Sequence, residues 1–325
     1  MKHTLKISLL LVLIFFISQV IGLAITNEYI DHKATVEIGE PVHEDLPFNM
    51  ARPEVKGTGG VAVILIIFAI IIGTLLLLLI IKLKGLILWK IWFFIAITMC
   101  LTIAFSPFIS KLLSLILILP IHPQIFSIPN LHSIIAAILA ITISILKIFR
   151  PTTLVQNTTE LFIYGGLTAI FVSLFKNPQW GVFWAFILLL IISIYDIIAV
   201  WKTKHMVSLA KFQTKSKIFA GLFIPYKKIE KTKTKRMKLK KEKVKTAVLG
   251  GGDIAFPLIF AGAVMQKLMI ANPEWLGFLK TLIIPIFTTI ALLILLLKSK
   301  ENKFYPAMPF LSIGCIVGYL IILVL

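Results

Sequence analysis

Residues 61–82 read VAVILIIFAIIIGTLLLLLIIK, an apolar run whose one charged side chain, Lys82, stands at its end. An α-helix rises about 1.5 Å per residue, so about 20 apolar residues cross the roughly 30 Å hydrocarbon core of a bilayer. The whole chain of 325 residues shares this character, with 59% hydrophobic residues, 14% charged residues and a mean hydropathy of +1.00. Soluble domains are about a quarter charged, disordered chains have low hydrophobicity, and membrane β-barrels alternate over about ten residues. All three classes are excluded.

Nine apolar segments follow one another and predict an all-α polytopic membrane protein with about nine transmembrane helices. The third segment is too long for one straight span, and Pro107 and Lys111 lie within it. We expect one bent helix there, because an additional crossing would break the charge pattern of the loops, whereas two short helices would give ten. The segments are about 7–25, 61–82, about 87–118, 133–149, 160–175, 182–201, about 247–270, 277–297 and 306–325.

The first apolar segment allows two interpretations. Lys2, His3 and Lys6 precede it, and basic residues before an apolar run are also typical of a cleaved signal peptide. The run is long for a signal peptide, which favours a retained span. Either choice leaves the topology of the remaining chain unchanged.

The basic residues predict the orientation, because cytosolic loops carry the excess of lysine and arginine. With the N-terminus inside, the inner loops hold 26 of the 33 basic residues, and the loop 202–246 alone holds sixteen. The stretch 26–60 holds seven of the fourteen acidic residues and falls outside. We therefore expect a multi-pass protein of the cell membrane with its N-terminus and the loop 202–246 in the cytosol and its C-terminus outside.

The net charge of +19 could indicate nucleic-acid binding, but the sequence contains no RNA- or DNA-binding motif. In a membrane protein, the usual cause is a cytosolic loop that faces anionic lipid. We expect lipid and not nucleic acid at this loop. The chain then divides into an N-terminal membrane part, 1–201, the basic loop, 202–246, and a C-terminal membrane part, 247–325.

Other polar residues give weaker signals. Cys100 and Cys315 lie in apolar segments, and His122 and His132 lack further ligands at metal-binding spacing, so we expect neither a metal nor another cofactor. The glycosylation sequon that begins at Asn157 lies inside in this topology. We expect a helix-capping role there instead.

Two carboxylates lie within predicted spans, where an ionisable residue costs several kcal/mol and indicates function. Asp196 is the only acidic residue of the sixth span, and Asp253 is the only one of the seventh. Each stands about five or six residues from the basic loop, which places both roughly 8–10 Å inside the cytosolic face. Consecutive antiparallel helices therefore bring the two carboxylates to the same depth.

Two facing carboxylates in a wet, low-dielectric pocket can share a proton, so that one activates water while the other polarises a carbonyl. This is aspartic-protease chemistry, and three glycines before Asp253 would permit close backbone approach and irregular conformation. A proton- or cation-coupled transporter or channel could use the same pair. Asp196 could also join helices, and Asp253 could be a helix N-cap, in a catalytically silent scaffold. The residues alone leave protease and transporter open.

Three short motifs resemble those of the presenilins and signal peptide peptidases, the GxGD intramembrane aspartyl proteases. Tyr195-Asp196 resembles their YD motif, and Gly250-Gly251-Gly252-Asp253 matches GxGD with Gly251 at the variable position. Pro306-Ala307-Met308 resembles their PAL motif, with Met308 in place of leucine. The motifs occur in the expected spans, and the resemblance extends from about the second span to the end of the chain.

The resemblance implies a presenilin-like aspartic endopeptidase that hydrolyses peptide bonds within the transmembrane helices of membrane-protein substrates. It assigns Asp196 and Asp253 to a catalytic dyad, and it implies that Tyr195, the three glycines and the PAL-like residues shape the active or substrate site. The compact loops and Thr203-Lys204-His205-Met206 resemble microbial, archaeal-type homologues. This likeness implies that the chain acts without obligate partner subunits.

A substrate helix hides its carbonyls behind its own hydrogen bonds, so it must unwind before cleavage. Extended substrate backbone could then pair with a strand of the enzyme. Residues 246–249 and the segment before Pro306 are candidates for that strand, because proline prevents helix and leaves polar backbone free.

Overall fold

The computed structural model describes residues 5–53, 59–83, 85–117, 130–202, 219–227, 244–299 and 305–325. Within these ranges, eight helical segments are long and apolar enough to cross a membrane, and a shorter apolar helix follows near the C-terminus. The predicted polytopic α-helical fold is therefore confirmed. Most of the basic loop 202–246, including residues 203–206, lies outside the described residues.

The elements follow one another as eleven α-helices and one hairpin within the described ranges. Short 3₁₀ turns cover Pro47–Asn49 and Val172–Phe175, and one π-helical turn covers Ile198–Lys202. Helices α9 and α10 together make the eighth span. The elements are α1 (Leu5–Asn27), α2 (His32–Ile38), α3 (Gly59–Lys82), α4 (Leu86–Leu117), α5 (Leu131–Phe149), α6 (Thr153–Phe171), α7 (Gly181–Ile197), β1 (Gly221–Lys227), β2 (Val244–Gly250), α8 (Gly251–Ala271), α9 (Glu274–Thr281), α10 (Ile283–Lys298) and α11 (Met308–Val324).

The long third segment forms the single helix α4, with Pro107 inside it. The expectation of one helix rather than two is confirmed. Helix α4 packs along α5 and α6, and Leu101 and Ala104 of its middle turns are fully buried. This packing supports the helix through the proline, whose missing N–H would otherwise weaken it.

Two predicted span boundaries are wrong. The fifth span was expected to begin at residue 160, but α6 begins at Thr153, because the buried Gln156 and the partly buried Asn157 of its first turns form hydrogen bonds within the protein. The seventh span was expected to begin at about 247, but residues 247–250 belong to β2, where Ala247 and Leu249 are buried and Val248 between them is exposed. This two-residue alternation is typical of a strand, and the helix begins only at Gly251.

Helix α8 forms the centre of the fold. Almost all of its residues from Ile254 to Gln266 are buried, and α1, α6, α7, α10 and α11 pack around it. Helix α1 takes part in this core, where Phe15 and Leu23 are fully buried and the Gln19 side-chain amide donates to the Ile254 carbonyl oxygen at 2.8 Å. The packing of α1 favours a retained first span over a cleaved signal peptide.

The segment after α1 packs on one end of the helical core. This is the end near the C-terminus of α8, opposite the end that carries Asp253. The Tyr29 hydroxyl donates to the Ile103 carbonyl oxygen at 2.7 Å, and the Arg52 guanidinium lies over the Tyr29 ring, 5.5 Å from its centroid. Ring nitrogen Nδ1 of His43 lies 3.3 Å from the Tyr29 carbonyl oxygen, whereas Nε2 is buried without a hydrogen-bond partner among the described residues. Burial, together with the positive charges of Arg52 and Lys176, lowers the pKa of His43 from 6.5 to about 4, and the hydrogen bond to the Tyr29 carbonyl opposes this change only in part.

This arrangement predicts that the segment after α1 is sensitive to acid. Because the pKa of His43 is lower in the folded than in the unfolded chain, the unfolded chain binds more protons between about pH 4 and 6.5. The stability that neutral His43 contributes is therefore complete above pH 6.5 and falls as the pH decreases toward 4. Thermal unfolding in detergent at pH 7, 6 and 5 should show a melting temperature that falls less in His43→Gln than in wild type. Equal slopes in the two proteins would show that His43 does not control this pH dependence.

Candidate active site

Asp196 lies in the last turn of α7 and is only 6% exposed. Its Oδ2 accepts a hydrogen bond from the backbone N–H of Met308 at 3.1 Å, and the backbone amide of Ala307 also bonds to the carboxylate. These amides stand at the start of α11, where the first N–H groups of a helix have no partner within the helix. The carboxylate therefore satisfies them, and it joins the YD motif directly to the PAL-like motif.

Asp253 is the third residue of α8, and Gly250 occupies the N-cap position without a side chain to cap the helix. The Asp253 carboxylate accepts a hydrogen bond from the backbone N–H of Gly250, as the third helical residue does in a capping box. The alternative that Asp253 is the N-cap is therefore wrong by three positions. Asp253 lies close enough to Asp196 for the two carboxylates to interact electrostatically. The structure thus brings together the two acids that the sequence placed at equal depth.

The three glycines differ in what a side chain would meet. A Cβ at Gly251 would lie 2.5 Å from the Tyr164 hydroxyl oxygen, and one at Gly250 would lie 3.3 Å from Oδ2 of Asp253. A Cβ at Gly252 would make only an ordinary contact, 3.5 Å from the Phe256 ring. Close backbone approach is therefore confirmed, most strongly at the variable position of the motif. The expected irregular conformation is wrong, because none of these three glycines has a positive φ.

The PAL-like residues Pro306, Ala307 and Met308 are all buried against the core, and α11 begins at Met308 rather than at the predicted residue 306. Met308 reaches Asp196 through its backbone, so the replacement of leucine by methionine leaves this hydrogen bond intact. Ser193, one turn before Asp196, lies 2.7 Å from Ser312 of α11 between their hydroxyl oxygens. This second link between α7 and α11 had no signal in the sequence beyond a serine in each apolar span.

Tyr195 points toward another part of the fold. Its side chain is partly buried, and its hydroxyl oxygen lies 3.4 Å from Oγ1 of Thr74 in α3. The tyrosine therefore connects α7 to α3 next to the candidate dyad.

The hairpin of β1 and β2 leads directly into α8 and is antiparallel, with Gly221 opposite Gly250 and Phe223 opposite Val248. Side chains near the start of α6 form hydrogen bonds with the backbone of β1. The Asn157 side chain donates to the Phe223 carbonyl oxygen at 3.0 Å and accepts from the Phe223 N–H at 2.9 Å. Thr152, not Asn157, caps α6, so the capping role expected for Asn157 is wrong. The signal in the sequence for this contact with β1 was the cluster of polar residues next to an apolar span.

The comparisons with known proteins agree with this geometry. The family model described as "Signal-peptide peptidase, presenilin aspartyl protease" matches residues 43–325, so the chain belongs to this family of aspartyl proteases. The chain is similar to two solved structures of a presenilin family intramembrane aspartate protease. The structure in space group C222 gives a TM-score of 0.59 at 18% identity over 98% of both chains. The structure in space group P2 gives 0.57 at 17% identity over 97% of this chain and 96% of the other.

No curated protein matches the sequence significantly. The solved structures show the presenilin-like fold, and the family match identifies the class as an aspartic protease that acts in the membrane. The predictions of family, fold and enzyme class are therefore confirmed. Nothing in these relationships favours the transporter alternative.

Proposed function

We propose that Asp196 and Asp253 form the catalytic dyad with which this protease hydrolyses a peptide bond within the transmembrane helix of a substrate. The observation that carries the proposal is that the two carboxylates, at the end of α7 and the start of α8, are near enough to each other to interact electrostatically. Each carboxylate has a defined backbone donor, Met308 for Asp196 and Gly250 for Asp253. These donors orient both groups, which is a requirement of acid–base catalysis.

In the proposed mechanism the dyad holds one proton between its two carboxyl groups. The ionised carboxylate takes a proton from a water molecule, which attacks the scissile carbonyl carbon. The protonated carboxyl group donates to the carbonyl oxygen, so that a neutral tetrahedral intermediate forms. The carboxyl group that took the proton from water then donates it to the amide nitrogen, while the other, now ionised, carboxylate removes a proton from one hydroxyl of the intermediate, so that the C–N bond breaks and leaves a carboxylic acid and an amine. The carboxyl groups regain their starting protonation states in the process.

Replacement of either dyad residue should abolish cleavage. Asp196→Asn and Asp253→Asn preserve size and polarity but cannot share the proton, so we expect each to lower the cleavage rate of a reporter transmembrane peptide by at least about a thousandfold. The rate is measured on purified protein in detergent by mass spectrometry of the products. Asp45→Asn is the control, because Asp45 is exposed in the segment after α1, and it should cleave at the wild-type rate.

A single dyad variant that cleaves as well as wild type would remove that aspartate from the mechanism. Folded wild-type protein that leaves the peptide intact but carries protons into liposomes, with a flux that either substitution abolishes, would contradict the protease and support the transporter.

We also propose that the edge of β2 facing away from β1, with which no strand of the described residues pairs, receives the unwound substrate as an additional strand. The orientation of this edge follows from β1. In an antiparallel pair of strands, opposite residues alternate along the ladder. The backbone N–H and C=O groups of one pair of residues bond to each other across the strands, and those of the next pair point away from the partner strand. The backbone N–H and carbonyl of Phe223 bond to Asn157, away from β2. Its partner Val248 therefore also directs its N–H and carbonyl away from the pair, toward the open side.

The same alternation gives Thr246 and Gly250 outward-facing backbone groups on β2. Their partners on β1 agree, because Pro225 has no N–H to donate and the Gly221 carbonyl oxygen accepts from Gln156 instead. Val248 is 38% exposed. A substrate strand on this edge would lie next to the segment that carries Asp253. The second candidate, the segment before Pro306, lies mostly outside the described residues.

The strand-pairing proposal predicts that the outward N–H of Val248 is needed for substrate binding. Val248→Pro removes this donor but leaves the bonds between β1 and β2, which use other residues. We expect the KM for the reporter peptide to rise about fivefold or more, since one backbone hydrogen bond contributes about 1 kcal/mol. Val248→Ala keeps the N–H and serves as the matched control, with KM within about twofold of wild type. Equal KM values for the proline and alanine variants would contradict pairing at this position.

For the orientation, we propose that the N-terminus and the loop 202–246 face the cytosol and that the C-terminus lies outside. The distribution of the basic residues supports this orientation. The sixteen basic residues of the loop would then meet anionic lipid of the cytosolic leaflet. We propose further that the chain cleaves without obligate partner subunits, as the resemblance to microbial homologues suggests.

A further inference from the structure

A buried group of charged and polar side chains lies between α5 and α6, outside the proposed dyad. Nζ of Lys147 lies 2.5 Å from Oε1 of Glu160, and the two side chains are 1% and 2% exposed. Lys147 also donates to the Thr159 hydroxyl at 2.8 Å, and the Gln156 side-chain amide donates to Oε1 of Glu160 at 2.9 Å. Burying such a pair in a membrane helix bundle is costly and is not by itself a source of stability.

The group contacts two parts of the proposed active site. Nε2 of Gln156 lies 2.7 Å from the Phe219 carbonyl oxygen and 3.0 Å from that of Gly221, where β1 begins. The Tyr164 hydroxyl donates to Oε2 of Glu160 and lies against the backbone of Gly251, where a Cβ would be only 2.5 Å away. One buried carboxylate thus organises the donors that support both the hairpin and the first turn of α8.

The backbone at Gly251 determines where Asp253 lies. The Gly251 N–H donates to the Ala220 carbonyl oxygen at 3.1 Å, and the Asp253 carboxylate accepts the N–H of Gly250. A displacement at Gly251 would therefore move both the Asp253 side chain and its donor relative to Asp196. Tyr164 is the side chain that limits such a displacement on the α6 side, and Glu160 fixes its hydroxyl.

We propose that Tyr164, fixed by the Lys147–Glu160 pair, is a positioning residue that sets the backbone of Gly250–Asp253 and so aligns the Asp253 carboxylate for catalysis. The inference rests on the proposed catalytic role of Asp253. Tyr164 acts through Gly251 and does not touch the reacting atoms. Its loss should therefore lower the rate of the chemical step while substrate binding on β2 stays intact.

Tyr29 provides a matched control for Tyr164. The two tyrosines are 4% and 5% exposed, and each hydroxyl donates one buried hydrogen bond, that of Tyr29 to the Ile103 carbonyl oxygen at 2.7 Å. Tyr29 lies in the segment after α1, remote from the dyad. Tyr164→Phe should lower kcat for the reporter peptide about tenfold with KM within about twofold, whereas Tyr29→Phe should change thermal stability but neither constant by more than about twofold. An unchanged kcat in folded Tyr164→Phe would overturn the inference.

A double variant tests the contact with Gly251 directly. Gly251→Ala places a methyl group against the Tyr164 hydroxyl and should reduce kcat, and Tyr164→Phe removes the nearest clashing atom. The two changes together should therefore cleave at least about threefold faster than Gly251→Ala alone, a non-additive result typical of residues in contact. Gly251→Ala combined with Tyr29→Phe should show no such recovery. Additive losses in the first pair would overturn the inference.

Hydrogen exchange separates this inference from the proposed function, because it needs no cleavage. Backbone amides of residues 250–256 should exchange faster in Tyr164→Phe than in wild type or Tyr29→Phe, since the support of the first turn of α8 is weakened. Equal exchange in all three proteins would overturn the positioning role. If wild type exchanges as expected but cleaves no reporter peptide, the proposed protease activity fails while the structural contact stands.

Discussion

The hydrogen bond from the Met308 amide to the Asp196 carboxylate is the contact on which the geometry of the site depends. It connects the end of α7 to the start of α11 and brings the YD and PAL-like motifs into direct contact, although they are more than a hundred residues apart in the chain. In a membrane interior, an unpaired helix N-terminus and an unpaired carboxylate would both be costly. Each satisfies the other here, so the acid is held in place by the same groups that it stabilises.

Asp253 is held in a similar way, by the backbone amide of Gly250 at the N-cap of its own helix. Both acids therefore lie at helix termini, and their donors among the described residues are backbone amides rather than basic side chains. A basic partner would keep a carboxylate ionised, whereas neutral amides leave the pair free to share a proton. The chemistry of the family requires this property, and the local helix ends supply it.

Backbone hydrogen-bonding groups also matter for the proposed binding of substrate to the hairpin. On the edge of β1 that faces away from β2, the Asn157 side chain bonds to the N–H and the carbonyl oxygen of Phe223, as a neighbouring strand would. Among the described residues, no side chain bonds in this way to the backbone of Val248 on β2. A strand edge whose backbone groups are unoccupied readily pairs with another strand. In the proposed strand pairing, this asymmetry places the extended substrate segment on the side of the hairpin formed by β2, which continues into the helix that carries Asp253.

The sequence predicted the apolar spans, the single long α4 and the proximity of the two aspartates, because span length and depth follow from local hydrophobicity and from the rise of a helix. It did not predict that α6 begins at Thr153, and it left residues 247–249 both as the start of a span and as part of a candidate strand for pairing with substrate. The polar residues at the start of α6 resemble a loop until the backbone of β1 lies beside them, and Ala247-Val248-Leu249 is apolar enough to continue a span. Only tertiary hydrogen bonds separate these alternatives. The role of Tyr164 was hidden for the same reason, since the contact with Gly251 joins distant parts of the chain.

The central claim is that the two carboxylates act as one unit on a tetrahedral reaction centre. The most direct test is the binding of a transmembrane peptide in which a hydroxyl-bearing tetrahedral carbon replaces the scissile carbonyl, since such an analogue binds far more tightly than substrate only where the catalytic groups are aligned. Its Kd is measured by calorimetry in detergent for wild type and for both single asparagine variants. We expect tight binding to wild type and a loss of affinity of about a hundredfold or more in each variant. Equal affinity in all three proteins, with each of them folded, would contradict it.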